Sequence, residues 1–206
     1  MRAELYGLIL TGGQSTRMGR DKAEITYGDQ PQWRAVADLL APFCKEVYWS
    51  CSEKQKNDWG VGSRGLTDKI PGHGPASGLQ TAFSKFPDVA WIVVACDYPF
   101  LQTHDIEQLI NGREPEFHAV TFVGDHRDDI QPMLTLWEPA AQSQFLDAFD
   151  RGEDSPRRIL RSTRWKGICP RENRILTNIN SGPPSLRELD AEMRSERGEN
   201  GAAVRT

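Results

Sequence analysis

The sequence predicts an α/β fold: an open, mostly parallel, doubly wound sheet in a single domain. Two observations carry this. Apolar runs such as Leu5 to Leu10 and Val89 to Cys96 lack the polar alternation of a half-exposed strand, as strands covered on both faces do. These runs alternate with segments of helical period in the order β-α-β-β-α-β-α across the first half, which places helices on both faces of a parallel sheet. At 206 residues the chain is long enough for one sizeable core, and no linker-like Pro/Gly/Ser run or compositional break precedes its C-terminus.

Taken in order, residues 5–11 read as the first buried strand, followed by a glycine-rich loop that closes on Asp21-Lys22. Ala23 to Tyr27 reads as a short extended piece ending at Gly28. Pro31 sits where a first helical residue is favoured, and Trp33, Val36, Ala37 and Leu40 follow at i, i+3, i+4, i+7, an amphipathic helix running to about Phe43. Val47 to Cys51 is the second strand, 53–65 a polar loop or ragged helix, and Gly65 to Asp68 a short third strand. A second glycine-rich loop, Pro71 to Gly78, leads into a helix from about Pro75 to Phe86. Val89 to Cys96 is the strongest buried strand and stops abruptly at Asp97-Tyr98-Pro99.

Thr103 is the expected N-cap of a helix ending near Gly112, with Asp105 and Glu107 in its first turn complementing the helix dipole. Phe117 to Val123 and Met133 to Trp137 read as strands around a polar turn, Gly124 to Asp129. Pro139 opens a helix ending near Gly152, and Ser155-Pro156 opens a shorter one as N-cap and N1. Trp165 to Cys169 and Ile175 to Ile179 are weaker strands, Leu186 to Met193 a last helix, and 196–206 a disordered tail.

Composition narrows the function. A net charge of −4 supplies no global basic field for nucleic acid. The longest apolar runs fall far short of the ~20 residues of a membrane span. The first residues carry an acid, Glu4, where a signal peptide would have its apolar run, so a soluble, cytoplasmic protein is expected. The four cysteines have no C-x-x-C spacing and do not cluster with the four histidines, which favours reduced thiols over a zinc site.

The chemistry concentrates at predicted strand ends, where an open α/β sheet binds its ligands. The loop after Leu10 matches neither G-x-x-x-x-G-K-[ST] nor G-x-G-x-x-G, which excludes a P-loop NTPase and a Rossmann dehydrogenase. It nevertheless offers backbone N–H groups at Gly12 and Gly13, hydroxyls at Ser15 and Thr16, and charges at Arg17 and Lys22, the parts of an anion cradle. On residues alone a tight turn with solvated cations reads equally well. Asp97 directly follows six apolar residues, and a carboxylate there needs a partner: a Mg²⁺ ion beside phosphates, or an Asx-turn or cap before Pro99. Asp68 is either a hydrogen-bond acceptor for a base or ribose, or a turn cap. Asn178 and Asn180 have the spacing of one strand face, a polar clamp if they line a cleft. Arg157, Arg158, Arg161 and Arg164 read as a solvated basic helix face, with an anionic substrate as the alternative.

At these residues the chain resembles the nucleotidyltransferases related to molybdenum cofactor guanylyltransferase, with their Rossmann-like nucleotidyltransferase fold. Leu10-Thr11-Gly12-Gly13-x-Ser15-x-Arg17-Met18-Gly19-x-Asp21-Lys22 is similar to the family signature. Gly74-Pro75-Ala76-Ser77-Gly78, Cys96-Asp97-Tyr98-Pro99-Phe100-Leu101, Gln131-Pro132 with the strand after it, and Asn178-Ile179-Asn180 match further family segments in the correct order. The departures are Thr11 for Ala, Ser50 for an Asn, Tyr98 for a smaller residue, and Ser181-Gly182 for Thr-Pro.

The resemblance implies transfer of GMP from GTP to the terminal phosphate of molybdopterin or its molybdenum-bound form, giving the guanine dinucleotide and pyrophosphate. It implies that Leu10, Thr11, Gly12 and Gly13 line the nucleotide site and that Arg17 and Lys22 meet the phosphates. Asp68 and Asp97 would contact the nucleotide, Asp97 through Mg²⁺, and Asn178 and Asn180 would face the pterin. The nucleotide half would be about 1–100 and the acceptor half about 101–195. The Gly12-Gly13 pair goes with guanine, where cytidylyl relatives carry Ala-Gly. Partners would be other molybdenum cofactor biosynthesis proteins and apo-molybdoenzymes. Other readings are CMP transfer to molybdopterin, nucleotidyl transfer to another phosphorylated acceptor, or a nucleotide-binding regulatory protein without turnover.

Overall fold

The computed structural model describes residues 2–12, 22–26, 29–126 and 129–177. Seven strands make one sheet: β1 (Leu5–Leu10), β2 (Glu46–Ser50), β3 (Gly65–Leu66), β4 (Ala90–Ala95), β5 (Ala119–Val123), β6 (Ile130–Trp137) and β7 (Trp165–Ile168). Their order is β3-β2-β1-β4-β6-β5-β7. Every pair is parallel except β6 with its neighbours β4 and β5. Six strands therefore end on the same side, and the β5–β6 turn lies on that side too.

The alternation of side chains along each strand splits the core into two layers. Ile9, Trp49, Ile92, Val94, Val120, Phe122 and Leu134 face one side. Helices α1 (Gln32–Leu40) and α4 (Thr103–Asn111) cover it with Val36, Leu40, Ile106 and Leu109. Leu8, Leu10, Tyr48, Trp91, Val93 and Trp137 face the other side. Helices α3 (Pro75–Lys85), α5 (Pro139–Asp150) and α6 (Pro156–Ser162) cover that one with Leu79, Phe83, Phe145, Ile159 and Leu160. Strands buried on both faces are what the unbroken apolar runs require. No helix among the described residues is long and apolar enough to cross a membrane.

Local structure departs from expectation in six places. Lys22–Glu24 is a 3₁₀ turn, not an extended piece, because fully buried Ala23 must tuck into the α1 side of the core. Only Thr26 bridges in β fashion, to Pro31, and Pro31 is the N-cap of α1 rather than its first residue. Helix α1 ends at Leu40, whose carbonyl accepts from Phe43 and Cys44. Residues 53–58 form a true helix, α2 (Glu53–Asp58), started by a Ser52–Gln55 capping box. Gln102, not Thr103, is the N-cap of α4, its N–H donating to the buried Asp105 carboxylate at 2.8 Å.

Residues 173–176 are a 3₁₀ turn where a strand was expected. The place beside β5 is already filled by β7, so Ile175 packs its side chain into the core without joining the ladder. The remaining part of that expected strand, the helix at 186–193 and the tail lie outside the described residues.

Phe83 is fully buried where α3 meets α5, edge-on to Phe145 at 5.3 Å and 5.7 Å from Trp137. Phe83→Ala leaves a cavity between two helices and the sheet. It is expected to cost about 3–5 kcal/mol, measured by urea unfolding, without changing the midpoint slope.

Candidate active site

The site is a consequence of strand register. Leu10 lies opposite both Ser50 and Ala95, and Ser50 lies opposite Leu66, so β1 to β4 end at one level. The chain leaves three of these ends into candidate residues: Thr11 directly after β1, Asp68 two residues after β3, and Asp97 two residues after β4. The ladder continues one step further through Cys96 N–H to the Leu10 carbonyl at 3.1 Å and Cys51 N–H to the Leu66 carbonyl at 3.0 Å.

Thr11 is buried, and its hydroxyl donates to the Ser50 carbonyl at 2.6 Å, with its N–H aimed at the same oxygen at 3.3 Å. Gly12 then turns away at φ +105°, a conformation that a side chain would strain although open space surrounds it. Asp68 is exposed as a residue, yet partial desolvation pushes its carboxyl above the usual carboxylate range, with the neighbouring Ser50 hydroxyl pulling the other way. Ser50 thus adjoins both the first loop and the rim after β3.

Asp97 sits in the turn after β4. Its Oδ1 is buried and has no hydrogen-bond partner among the described residues. Burial raises its pKa; the Lys22 charge and the residue's own N–H act in the opposite direction. The structure thereby brings Lys22 and Asp97, 75 positions apart in sequence, into electrostatic contact. Lys22 is held by its own turn: Ala23 is buried beneath it, and Glu24 accepts from the Trp59 indole at 3.3 Å. Trp59 stacks on Trp33 at 4.8 Å and 9°. An orphaned carboxylate oxygen beside a lysine suits a hard divalent cation bound to phosphate, because Mg²⁺ takes one or two carboxylates and completes its shell with phosphate and water oxygens.

Of the sequence-derived set, Leu10, Thr11, Gly12, Lys22, Asp68 and Asp97 are gathered at one edge. Gly13, Arg17, Asn178 and Asn180 lie outside the described residues. The basic run on α6 is engaged elsewhere: Arg158 pairs with Glu153 at 2.7 Å, Arg157 lies 3.8 Å from Asp129, and Arg164 contacts His118. The glycine loop before α3 is closed by backbone geometry, Gly72 at φ +102° and Gly74 at φ +56°, and His73 in it contacts Asp154 at 3.1 Å. Burial keeps the Cys44 thiol protonated, its pKa pushed up to about 12.

Sequence reasoning noted Ser50 only as a departure; its double engagement could not be read from one position. It missed Gln32, which is buried at the start of α1 and donates from its N–H to the Ile25 carbonyl at 2.9 Å and from Nε2 to the Tyr98 carbonyl at 3.4 Å. Gly78 on α3 is a second missed element. A Cβ there would lie 2.3 Å from Ser50 Oγ and 3.1 Å from Leu10 Cδ2. Gly78→Ala is therefore expected to cost about 1–3 kcal/mol in thermal or urea unfolding. It should also weaken nucleotide binding in calorimetry, because the displaced Ser50 is the residue that adjoins both Thr11 and Asp68.

Comparison with known proteins gives the family and the fold. The family model described as the MobA-like NTP transferase domain matches residues 7–167. A molybdenum cofactor biosynthesis bifunctional protein from Synechocystis is 33% identical over 86% of this chain and 51% of its own length. The chain thus spans about half of that relative. A molybdenum cofactor guanylyltransferase from Shewanella loihica is 29% identical over 75% of this chain and 81% of its own length. Among solved structures, molybdopterin-guanine dinucleotide biosynthesis protein A from Archaeoglobus fulgidus shares the fold, with a TM-score of 0.72 at 22% identity over 93% of this chain and 99% of that one. A 4-diphosphocytidyl-2C-methyl-D-erythritol synthase from Anaerococcus prevotii shares it at a TM-score of 0.68 and 10% identity, over 96% and 97% of the two chains. The match over residues 7–167 shows that the chain belongs to the MobA-like NTP transferase family.

Proposed function

We propose that the chain transfers GMP from GTP to the terminal phosphate of molybdopterin, or of its molybdenum-bound form, and releases pyrophosphate. The observation that carries this is Asp97: a buried carboxylate oxygen without a partner among the described residues, within electrostatic reach of Lys22, at the level where four strands end. The names of the relatives supply the acceptor and the base.

In this reading the first loop and Lys22 hold the triphosphate, Asp68 contacts the nucleoside, and Asp97 holds Mg²⁺. When bound, the cation supplies charge neutralisation on phosphate oxygens. Every other task falls to positioning. Thr11, locked onto the Ser50 carbonyl, fixes where the loop departs from β1. Lys22 neutralises phosphate charge from a turn whose buried Ala23 prevents it from swinging away. Arg17 adds a second cation to the same loop. The acceptor's phosphate is already ionised at neutral pH, so no side chain needs to remove a proton from it. In-line attack on the α-phosphorus then depends on alignment. Residues 1–100 serve the nucleotide, and 101–195, with Asn178 and Asn180, serve the pterin.

The test is pyrophosphate release from each of GTP, CTP, ATP and UTP with purified molybdopterin and Mg²⁺. GTP is the expected donor; turnover with CTP alone, or none with GTP, would overturn the proposal. Asp97→Asn removes the buried charge and keeps the volume. It is expected to lower kcat/KM about 100-fold or more while leaving the thermal midpoint at or above that of the parent, since it removes a destabilising buried carboxylate. Chelation of Mg²⁺ should reproduce that loss in the parent and change the variant little.

A further inference from the structure

Among the described residues Asp97 Oδ1 has no hydrogen-bond partner, so where the carboxylate points depends on how its backbone is held. A desolvated carboxylate relaxes toward water or a donor unless its backbone is held. The next residue is held at both ends. Tyr98 is buried, with its ring in the α1-side core. Its carbonyl accepts from Gln32 Nε2 at 3.4 Å, and its hydroxyl donates to Gln131 Oε1 at 3.2 Å.

Both anchors are themselves fixed. Gln32 also donates from its backbone N–H to the Ile25 carbonyl, three residues after Lys22. Gln131 Nε2 is 3.3 Å from both the carbonyl and Oδ1 of Asp129, and the Gln131 carbonyl accepts from the Thr135 hydroxyl at 2.7 Å. A chain of hydrogen bonds therefore runs from the segment after Lys22 through Gln32 and Tyr98, the residue next to Asp97, to Gln131 and the β5–β6 turn.

We propose that Tyr98, braced by Gln32 and Gln131, is a positioning residue that aims the Asp97 carboxylate at the cation accompanying the nucleotide phosphates. The phenol, and not merely the ring, matters. A phenylalanine would fill the same space but would leave Gln131 Oε1 without this donor and remove one of the bonds that hold the Asp97 turn. This rests on the proposed role of Asp97 as the metal ligand, and the experiment separates the two.

GTP is titrated calorimetrically into the full chain in Mg²⁺ and in EDTA, for the parent, Tyr98→Phe, Gln131→Met and the double variant, each first shown to unfold cooperatively. The parent should bind GTP about tenfold more tightly with Mg²⁺. Tyr98→Phe should keep the EDTA affinity and lose most of the Mg²⁺ gain, a reduction of about three- to tenfold, as loss of one buried hydrogen bond implies. Gln131→Met should lose at least as much, since it also removes the contacts to Asp129, and the double variant should lose no more than Gln131→Met, because the Tyr98–Gln131 bond is already gone. An undiminished Mg²⁺ gain in Tyr98→Phe would overturn the proposal. So would equal losses with and without Mg²⁺, the signature of a merely structural role, or additive losses in the double variant. If Tyr98→Phe fails to fold, Gln131→Met alone decides by the same criteria. Absence of any Mg²⁺ gain in the parent would instead remove the metal assignment, and the positioning role with it.

Discussion

Parallel register is the constraint from which the rest of the site follows. A parallel ladder spaces its hydrogen bonds evenly, so a strand cannot shift without moving every partner. Leu10 is registered against Ser50 on one side and Ala95 on the other. Once these pairs are made, Thr11, Asp68 and Asp97 have no freedom to be far apart. The helices contribute by covering the sheet, and one of them approaches so closely at Gly78 that a methyl group would collide with Ser50.

Within that frame the energetics divide sharply. Below the strand ends the core is apolar and well matched, with Trp91, Trp137, Phe83 and Phe145 buried. At the ends the chain carries groups that stability alone does not favour: a buried carboxylate oxygen without a partner among the described residues, a glycine at positive φ, and a second carboxylate raised by desolvation. Local cost placed on a rigid support is the usual condition of a site that must receive charge from outside. The indole stack of Trp33 and Trp59 and its bond to Glu24 show how the support reaches as far as Lys22.

The sheet was legible because buried strands announce themselves by unbroken apolar runs, and Asp97 because an acid stands out after six apolar residues. The gathering of Asp68, Lys22 and Asp97 was legible from the rule that ligands bind at carboxyl ends of strands. The Ser52–Gln55 capping box was present in the sequence and could have identified α2. Other features were not readable locally. The 3₁₀ turns at 22–24 and 173–176 exist because Ala23 and Ile175 are drawn into the core by distant helices and strands. The links of Gln32 and Gln131 to Tyr98 span 66 and 33 positions, and nothing at either end of such a bond marks its partner.

The reversed strand β6 has an effect on what the fold can become. Because it alone runs against the others, the hairpin joining it to β5 opens at the same edge as the strand ends. Lengthening a surface hairpin costs little closure entropy, about 0.6 kcal/mol per doubling. That turn can accordingly grow or be remodelled over the edge while the four parallel strands that carry Leu10, Asp68 and Asp97 stay in register. A scaffold of this kind keeps one half of its cleft constant and leaves the other open to variation, consistent with the same fold appearing in proteins named for quite different products.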